Sequence, residues 1–226
     1  MSPMRREPHG PLERQARVIL RESGRAVARL ERSAARAVAS AAEAMIACLE
    51  GGGSVYFCGN GGSAADAQHL ACELAGRYLL DRPALAATAL NTNTSSLTAI
   101  GNDFGFAEVF SRQLEGLGSP GDVLVAITTS GGSPNIVKAV HAAHALGMTV
   151  IGMTGAKGGA FAALCDLALV TPHAVTPRIQ EGHIAMGHAM CELVERAMFP
   201  ARGKAARSPR AGGAKRVRRT TRKRRA

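Results

Sequence analysis

Residues 54–73, SVYFCGNGGSAADAQHLACE, decide the fold because they join a short apolar run to a glycine-rich turn and a helical pattern. The run Val55-Tyr56-Phe57-Cys58 is aromatic and β-branched, which predicts a buried strand. Glycines follow at positions 59, 61 and 62, where the backbone can adopt positive φ and approach a ligand closely. A strand that enters such a turn and then a helix N-terminus directs free N–H groups at one point, which favours a phosphate or a sugar hydroxyl.

The helix after this turn carries two side chains with acid–base or metal-binding chemistry. It is predicted to begin at Ser63, a residue typical of N-caps, with Asp66 three residues later as in a capping box. Four residues separate His69 from Glu73, so both project from the same helix face. We therefore expect the chemistry of the protein between the glycine turn and this face.

The charge of the chain is concentrated at its C-terminal end. The 226 residues are enough for one α/β domain and carry a formal charge of +11. Residues 200–226 hold twelve Lys or Arg and no acid, which leaves 16 basic and 17 acidic residues in 1–199. We expect a disordered N-terminus over 1–10, a single domain over 11–199 and a basic disordered tail over 200–226. Such a tail would contact polyanions nonspecifically.

The cysteine content and the hydropathy of the chain indicate its cellular compartment. The five cysteines form no C-x-x-C pair, and their odd number favours buried free thiols in a reducing cytoplasm. No apolar stretch approaches the roughly 20 residues of a membrane span. The first residues, MSPMRREPHGPLERQ, lack the apolar core of a secretory signal. These features predict a cytoplasmic protein without a membrane segment.

The remaining pattern alternates strands and helices. Residues 12–49 are helical in pattern and predict two helices, hinged near Ser23-Gly24 or near Ser33. Strands are predicted at 54–58, 86–90, 123–128, 149–154 and 167–171, and helices at 63–79, 94–100, 105–116, 134–146, 159–164 and 178–198. Five short apolar strands alternating with helices predict an α/β fold, a flavodoxin-like doubly wound five-stranded parallel sheet with N-terminal helices.

A second loop with the composition of a phosphate site follows the third predicted strand. The stretch 128–134, TTSGGSP, supplies hydroxyls from Thr128, Thr129, Ser130 and Ser133. Its last two residues fit the N-cap and the first position of a helix. A serine-rich cap alone is usually structural, but two such loops after separate strands of one sheet favour a ligand site.

A lone histidine in an apolar helix is more often a core residue, but the last predicted helix carries several polar side chains, Gln180, Glu181, His183 and His188. With His69 and Glu73 they make a set of nitrogen and oxygen donors suited to zinc. Eight residues of helix rise by about 12 Å, so Gln180 and His188 cannot easily share an ion from one straight helix. Either Gln180 lies at a frayed helix start, or different subunits contribute the two ligands.

Two further loops have alternative interpretations. Asn102-Asp103 lies between glycines and is either a plain turn or a polyol site. The stretch 59–64, GNGGSA, also satisfies the loose dinucleotide pattern G-x-G-x-x-A. The next strand ends Ala89-Leu90-Asn91-Thr92 without the acidic residue that a dinucleotide ribose requires, which argues against such a site.

Four stretches together resemble the phosphoheptose isomerases, which are sedoheptulose 7-phosphate isomerases of the sugar isomerase (SIS) fold. They are CGNGGSAADAQHLACEL, LTAIGNDFGFAEVFSRQ, GDVLVAITTSGGSPN and TPRIQEGHIAMGHAMCELVE, and the resemblance runs from about Leu12 to Phe199. It implies a cytoplasmic homotetramer with active sites at subunit interfaces and one Zn²⁺ per subunit. It also implies conversion of D-sedoheptulose 7-phosphate to D-glycero-D-manno-heptose 7-phosphate. That reaction is the first step of nucleotide-activated (ADP- or GDP-) heptose biosynthesis for lipopolysaccharide or capsule.

The resemblance also assigns site residues by position. The implied metal ligands are His69, Glu73, Gln180 and His188. The implied substrate-binding residues are Asn60, Gly61, Gly62, Ser63, Glu73, Asn102, Asp103, Thr128, Thr129, Ser130, Ser133 and Gln180, and Arg77 matches a polar position near the site. Thr128 stands where serine is frequent, which keeps the hydroxyl. Pro177 stands where some members have an acidic residue, so no role for that acid is assumed.

The chemistry of an aldose–ketose isomerisation fits these residues. A proton moves between adjacent carbons through an enediol or enediolate, and we assign Glu73 as the base at carbon and His188 as the acid at oxygen. A metal would polarise the carbonyl as a Lewis acid. Because a metal-bound carboxylate is a weaker base, Glu73 would have to exchange between its two roles.

Two alternatives are not enzymes. One relative of this family binds the bacterial replication initiator protein; it shares the glycine loop and the RIQE helix start but lacks the equivalents of Glu73 and His188. A regulatory SIS domain that senses sugar phosphates would not need four metal ligands. The presence of both residues in this chain favours the enzyme.

Overall fold

The 54–73 stretch forms a central strand and the helix after it, within a five-stranded parallel sheet. The computed structural model describes residues 10–200. Its strands are β1 (Val55–Gly59), β2 (Ala87–Ala89), β3 (Val123–Ile127), β4 (Thr149–Gly155) and β5 (Leu167–Thr171). The spatial order β2-β1-β3-β4-β5, with every pair parallel, is flavodoxin-like and confirms the predicted fold class.

Helices cover both faces of this sheet. They are α1 (Pro11–Ala28), α2 (Leu30–Ser33), α3 (Ala35–Glu50), α4 (Gly62–Ala75), α5 (Thr94–Asp103), α6 (Ser111–Leu117), α7 (Pro134–Ala145), α8 (Gly159–Leu164) and α9 (Thr176–Met198). The predicted helix 105–116 is divided into a short 3₁₀ helix, Phe106–Glu108, and α6. None of the described helices is both long and apolar enough to cross a membrane.

The central strands are apolar on both sides because both faces are covered. Val55 and Phe57 of β1 join the core that packs under α3, α4 and α9. Tyr56 and Cys58, on the opposite face, join a second core with residues of α6 and α7. Every residue of β1 is buried, which explains why its sequence is continuously apolar.

The N-terminal helices divide near one of the two predicted hinges. The helical conformation is interrupted between α2 and α3 at Ala34, whose φ of −126° and ψ of −14° are not helical. The hinge predicted near Ser33 is therefore confirmed. The hinge predicted at Ser23-Gly24 is wrong, because α1 continues through both residues to Ala28. Both α1 and α3 pack on α9.

The start and the end of α4 differ from the prediction. Gly61, with φ of +56°, is the N-cap, so Ser63 is the second residue of the helix and does not cap it. The helix ends at Ala75 rather than at residue 79. The N–H of Gly76 still donates to the carbonyl of Cys72, whereas the N–H groups of residues 78–80 are bound by a carboxylate of α9.

The predictions for cysteines hold in part. All five are free thiols; Cys48, Cys58 and Cys191 are buried, Cys165 is half-buried and Cys72 is exposed. The predictions for the N-terminus and for the basic tail lie largely outside the described residues, which exclude 1–9 and 201–226.

One buried histidine of α9 belongs to the fold's interior. His183 is fully buried, and within the described chain neither ring nitrogen has a hydrogen-bond partner. The hydroxyl of Thr154 is buried and unpartnered in the same way. Burial lowers the pKa of His183 to about 4 from its ordinary 6.5, and the nearby Thr154 backbone opposes this only in part.

The buried imidazole of His183 should make the protein sensitive to mild acid. As pH falls from about 6.5 towards 4, the unfolded chain binds a proton at His183 that the folded chain does not, so the free energy of unfolding decreases. The decrease in the free energy of unfolding that His183 causes should reach about 2.5 kcal/mol near pH 4.5. Urea unfolding at neutral and acid pH should show a smaller acid-induced loss for His183→Asn than for the parent. The exposed His141→Asn serves as the control, and equal losses in all three proteins would contradict the assignment.

Candidate active site

Three of the four proposed metal ligands lie together between α4 and α9. Nε2 of His69 is 2.8 Å from Nε2 of His188 and 3.4 Å from Oε1 of Glu73. One ligand atom from each residue lies within 4.8 Å of the other two. The helical spacing of four residues brings His69 and Glu73 to one face of α4, and the packing of α9 on α4 adds His188.

This cluster fits a divalent metal ion. Zinc bonds of about 2.0–2.2 Å in a tetrahedron place ligand atoms roughly 3.3 Å apart, and the two measured separations of 2.8 and 3.4 Å bracket that value. The side chain of His69 is 45% exposed and that of Glu73 is 18% exposed, so the cluster opens to solvent on one side. Two imidazoles and a carboxylate facing an open side resemble the three-ligand arrangement of catalytic zinc sites.

Gln180 lies away from this cluster in the same chain. It is the fifth residue of α9, inside the helix rather than at a frayed end. Its side-chain amide lies against Gly62, so closely that a Cβ on Gly62 would clash with it. Eight residues of α9 separate Gln180 from His188, about 12 Å of helical rise. The frayed-start explanation therefore has no support in the structure.

An aromatic side chain that the sequence analysis did not identify completes the wall of the cluster. The ring of Tyr78 lies 5.7 Å from the ring of His188, centroid to centroid. The ring of His69 also lies close to the ring of His188, at 5.0 Å between centroids. The sequence predicts residue 78 at the end of a helix, and no motif or spacing in the sequence connects Tyr78 to the site.

The serine- and threonine-rich loop after β3 leads into α7. Ser133 is the N-cap residue and Pro134 the first helical residue, as predicted, although the Ser133 side chain does not cap the helix. The hydroxyl oxygens of Thr128 and Ser133 lie 3.3 Å apart. The backbone N–H of Gly131 donates to the Thr128 hydroxyl at 3.2 Å. The loop thus gathers hydroxyls at a helix N-terminus, where the helix dipole favours an anion.

The glycine loop after β1 is joined to this second loop. The side-chain amides of Asn60 and Asn135 form a reciprocal pair, with N–H···O distances of 2.8 and 2.9 Å. A cleft of about 290 Å³ lies here, and its lining residues are Asn60, Phe106, Ala107, Ser133, Pro134 and Asn135. Asn135 was missed in the sequence because a single asparagine in the first turn of a helix carries no distinctive signal.

The other proposed substrate residues are dispersed around these loops. Asn102 and Asp103 end α5, where both are exposed and the Asn102 amide donates to the Asp103 carboxylate at 2.8 Å. Ser63 is buried in the first turn of α4. Arg77 is exposed just after α4.

The contact between Gly62 and Gln180 gives a test of whether Gln180 matters. Gly62→Ala should displace the Gln180 amide and lower kcat/KM by about 10–100-fold, because misplaced site groups cost rate steeply. The melting temperature should change little, since the clash is with the end of a flexible side chain. Gly116→Ala, on α6 with open space around it, is the matched control. Because Gly62 itself belongs to the proposed substrate loop, Gln180→Ala is measured beside it, and unchanged kinetics in both variants would remove Gln180 from the site.

Comparison with known proteins places this geometry in context. The family model described as the SIS domain matches residues 20–155. A phosphoheptose isomerase of Rhodospirillum rubrum is 58% identical over 164 residues, which cover 73% of this chain and 87% of that protein.

Solved structures agree with this similarity. The phosphoheptose isomerase of Neisseria gonorrhoeae superimposes with a TM-score of 0.77 at 49% identity, covering 81% of this chain and 98% of that one. The enzyme of Francisella tularensis gives a TM-score of 0.78 at 38% identity, covering 80% and 97% of the two chains.

Proposed function

The chain belongs to the SIS-domain family and, within it, to the phosphoheptose isomerases, and from this premise we propose its substrate and mechanism. It converts D-sedoheptulose 7-phosphate to D-glycero-D-manno-heptose 7-phosphate through an enediol or enediolate. The observation that carries the proposal is the cluster of His69, Glu73 and His188, which brings a carboxylate and two imidazoles within reach of one another. Its pathway is nucleotide-activated heptose biosynthesis in the cytoplasm, for lipopolysaccharide or capsule.

Proton transfer is assigned to two side chains of the cluster. Glu73 removes the proton from the carbon next to the carbonyl and returns it to the neighbouring carbon. His188 moves the proton at the oxygen, and the two together are expected to supply about 10²–10⁴-fold in rate. Zinc, held by His69, Glu73, His188 and Gln180 at one ion per subunit, supplies Lewis-acid polarisation of the carbonyl when bound.

Substrate orientation is assigned to the two loops at the edge of the sheet. The phosphate binds the hydroxyls of Thr128, Thr129, Ser130 and Ser133 at the N-terminus of α7. The sugar hydroxyls bind Asn60, Gly61, Gly62 and Ser63, with Asn102 and Asp103 contributing from α5. The reciprocal amide pair of Asn60 and Asn135 supports this division, because it ties the sugar loop to the first turn of the phosphate-binding helix.

The active unit is proposed to be a homotetramer with sites at its interfaces. Leu12, Val18 and Leu20 of α1 are at least 63% exposed, an apolar surface that a second copy would cover. An apolar groove of about 390 Å³ also lies between the N-terminal helices and α9. Because α9 holds Gln180 about 12 Å from His188, we assign the Gln180 ligand to a neighbouring subunit.

The non-catalytic alternatives explain less of the structure. A protein that only binds the replication initiator, or only senses a sugar phosphate, has no need of a carboxylate and two imidazoles converging between α4 and α9. The basic tail, which could favour a nucleic-acid role, lies outside the described residues.

Turnover of sedoheptulose 7-phosphate by purified protein tests the function directly. Protein loaded with zinc should form the aldose product, and a chelator should abolish turnover until zinc is restored. Glu73→Gln should lower kcat by at least about 100-fold, because an amide cannot take up the proton. Product is measured by chromatography of the sugar phosphates. Absence of product from metal-loaded protein would overturn the substrate assignment, and full activity of Glu73→Gln would overturn the role of that residue.

The shared site can be tested by mixing subunits. Gln180→Ala and His188→Ala should each be nearly inactive as pure tetramers. If Gln180 serves the site of a neighbour, hybrids formed from the two variants should regain part of the parent activity, because some sites then receive both intact residues. Sedimentation of the parent protein checks the tetramer. Hybrids without any recovered activity would place both ligands in one subunit.

A further inference from the structure

A buried carboxylate near the end of α9 binds the chain that follows α4. Glu195 is 1% exposed. Its Oε1 accepts the backbone N–H of Tyr78 at 3.0 Å, and its Oε2 accepts those of Leu79 and Leu80 at 2.8 and 2.9 Å. Three consecutive N–H groups bound by one carboxylate fix the path of the segment that leaves α4.

A buried arginine completes the contact from the other side. Nε of Arg82 donates to Oε1 of Glu195 at 2.9 Å, and both side chains are 1% exposed. The same guanidinium donates to the backbone carbonyls of Glu73 and Leu74 at 2.8 Å each, and to that of Pro83 at 2.9 Å. Arg82 thus binds the last turn of α4 and the carboxylate of α9 at once.

The electrostatics of this pair make it intolerant of change. Burial disfavours the charged form of Glu195, but the N–H groups of Leu79, Tyr78 and Leu80 and the Arg82 guanidinium more than compensate. The pKa of Glu195 therefore lies below its ordinary value. Removing either side chain would leave the other as an unpaired buried charge. In the intact pair, the guanidinium of Arg82 and the carboxylate of Glu195 neutralise each other and are both hydrogen-bonded.

Both ends of this network reach the proposed metal cluster. Arg82 holds the backbone carbonyl of Glu73, one of the ligands. Glu195 holds the backbone of Tyr78, whose ring lies 5.7 Å from that of the ligand His188. The network therefore contacts Glu73 of α4 directly and reaches His188 of α9 only through Tyr78.

We propose that Arg82 and Glu195 are positioning residues for the isomerisation, which set the separation of α4 and α9 and thereby the convergence of Glu73 and His188. Neither touches the reacting atoms. They act through the Glu73 carbonyl and through Tyr78, and this inference rests on the proposed metal site. In chemical terms, a buried ion pair outside the site provides the outer layer of contacts that holds metal ligands at bonding distance.

The test measures metal binding as well as turnover. Zinc affinity is determined by competition with a chromogenic chelator, and Co²⁺ serves as a spectroscopic probe of ligand geometry. Glu195→Gln should weaken zinc binding by at least about 10-fold, in line with losses seen for outer contacts of metal ligands, and should alter the visible Co²⁺ spectrum. It should lower kcat more than it raises KM, because the substrate loops are untouched.

Two further variants separate positioning from simple loss of stability. Ile136→Ala removes a buried side chain on the other face of the sheet and should reduce thermal stability with zinc affinity unchanged. Tyr78→Ala leaves the ion pair intact and should reproduce part of the zinc and Co²⁺ effects, which keeps the test valid if Glu195→Gln does not fold. Parent-like zinc affinity and Co²⁺ spectra in Glu195→Gln, or in Tyr78→Ala if Glu195→Gln is insoluble, would overturn the inference.

The parent protein distinguishes the two levels of the proposal. Stoichiometric zinc binding that is lost in His69→Ala establishes the site on which the inference rests. If the parent binds no zinc, the metal site itself is wrong and the inference falls with it. If the parent binds zinc and the Glu195 and Tyr78 variants bind it equally well, only the positioning role is wrong.

Discussion

Close packing of α4 between the sheet and α9 is the constraint on which the remaining features depend. Gly59 allows the start of α4 to approach β1, because a Cβ there would clash with the Ser63 carbonyl. Gly187 allows α9 to approach α4, because a Cβ there would clash with Leu70. Because α4 and α9 approach each other closely, the side chains of His69 and Glu73 on α4 come within contact distance of His188 on α9. A larger separation would leave His69 and Glu73 paired on α4 but place His188 out of their reach.

The same packing divides the site into two parts. At the edge of the sheet, the loops after β1 and β3 present amides and hydroxyls where the strand order reverses, the usual place for ligands in this topology. Further along α4, the histidines and the glutamate present groups that can bind a metal or move protons. In the proposed mechanism, binding and chemistry therefore come from opposite ends of one helix, and the Arg82–Glu195 pair lies at the end proposed for chemistry.

The chain belongs to the phosphoheptose isomerases, and the two parts of the proposed site are interpreted on that basis. A fold of this type can serve binding alone, so the family resemblance of the sheet does not by itself indicate catalysis. The cluster between α4 and α9 is the feature that we propose distinguishes an isomerase from a binding protein on the same scaffold.

The sequence by itself determined the fold class, because continuous apolar strands, glycine turns and helical periodicity are local patterns. It also placed His69 and Glu73 on one face, since that follows from helical spacing. Backbone contacts with distant groups were not predictable: α4 ends at Ala75, and the N–H groups of residues 78–80 are bound by Glu195, about 120 residues away in the chain. The contacts of Tyr78 and Arg82 with α9 were likewise not predictable, since residues far apart in the chain approach one another only through tertiary packing.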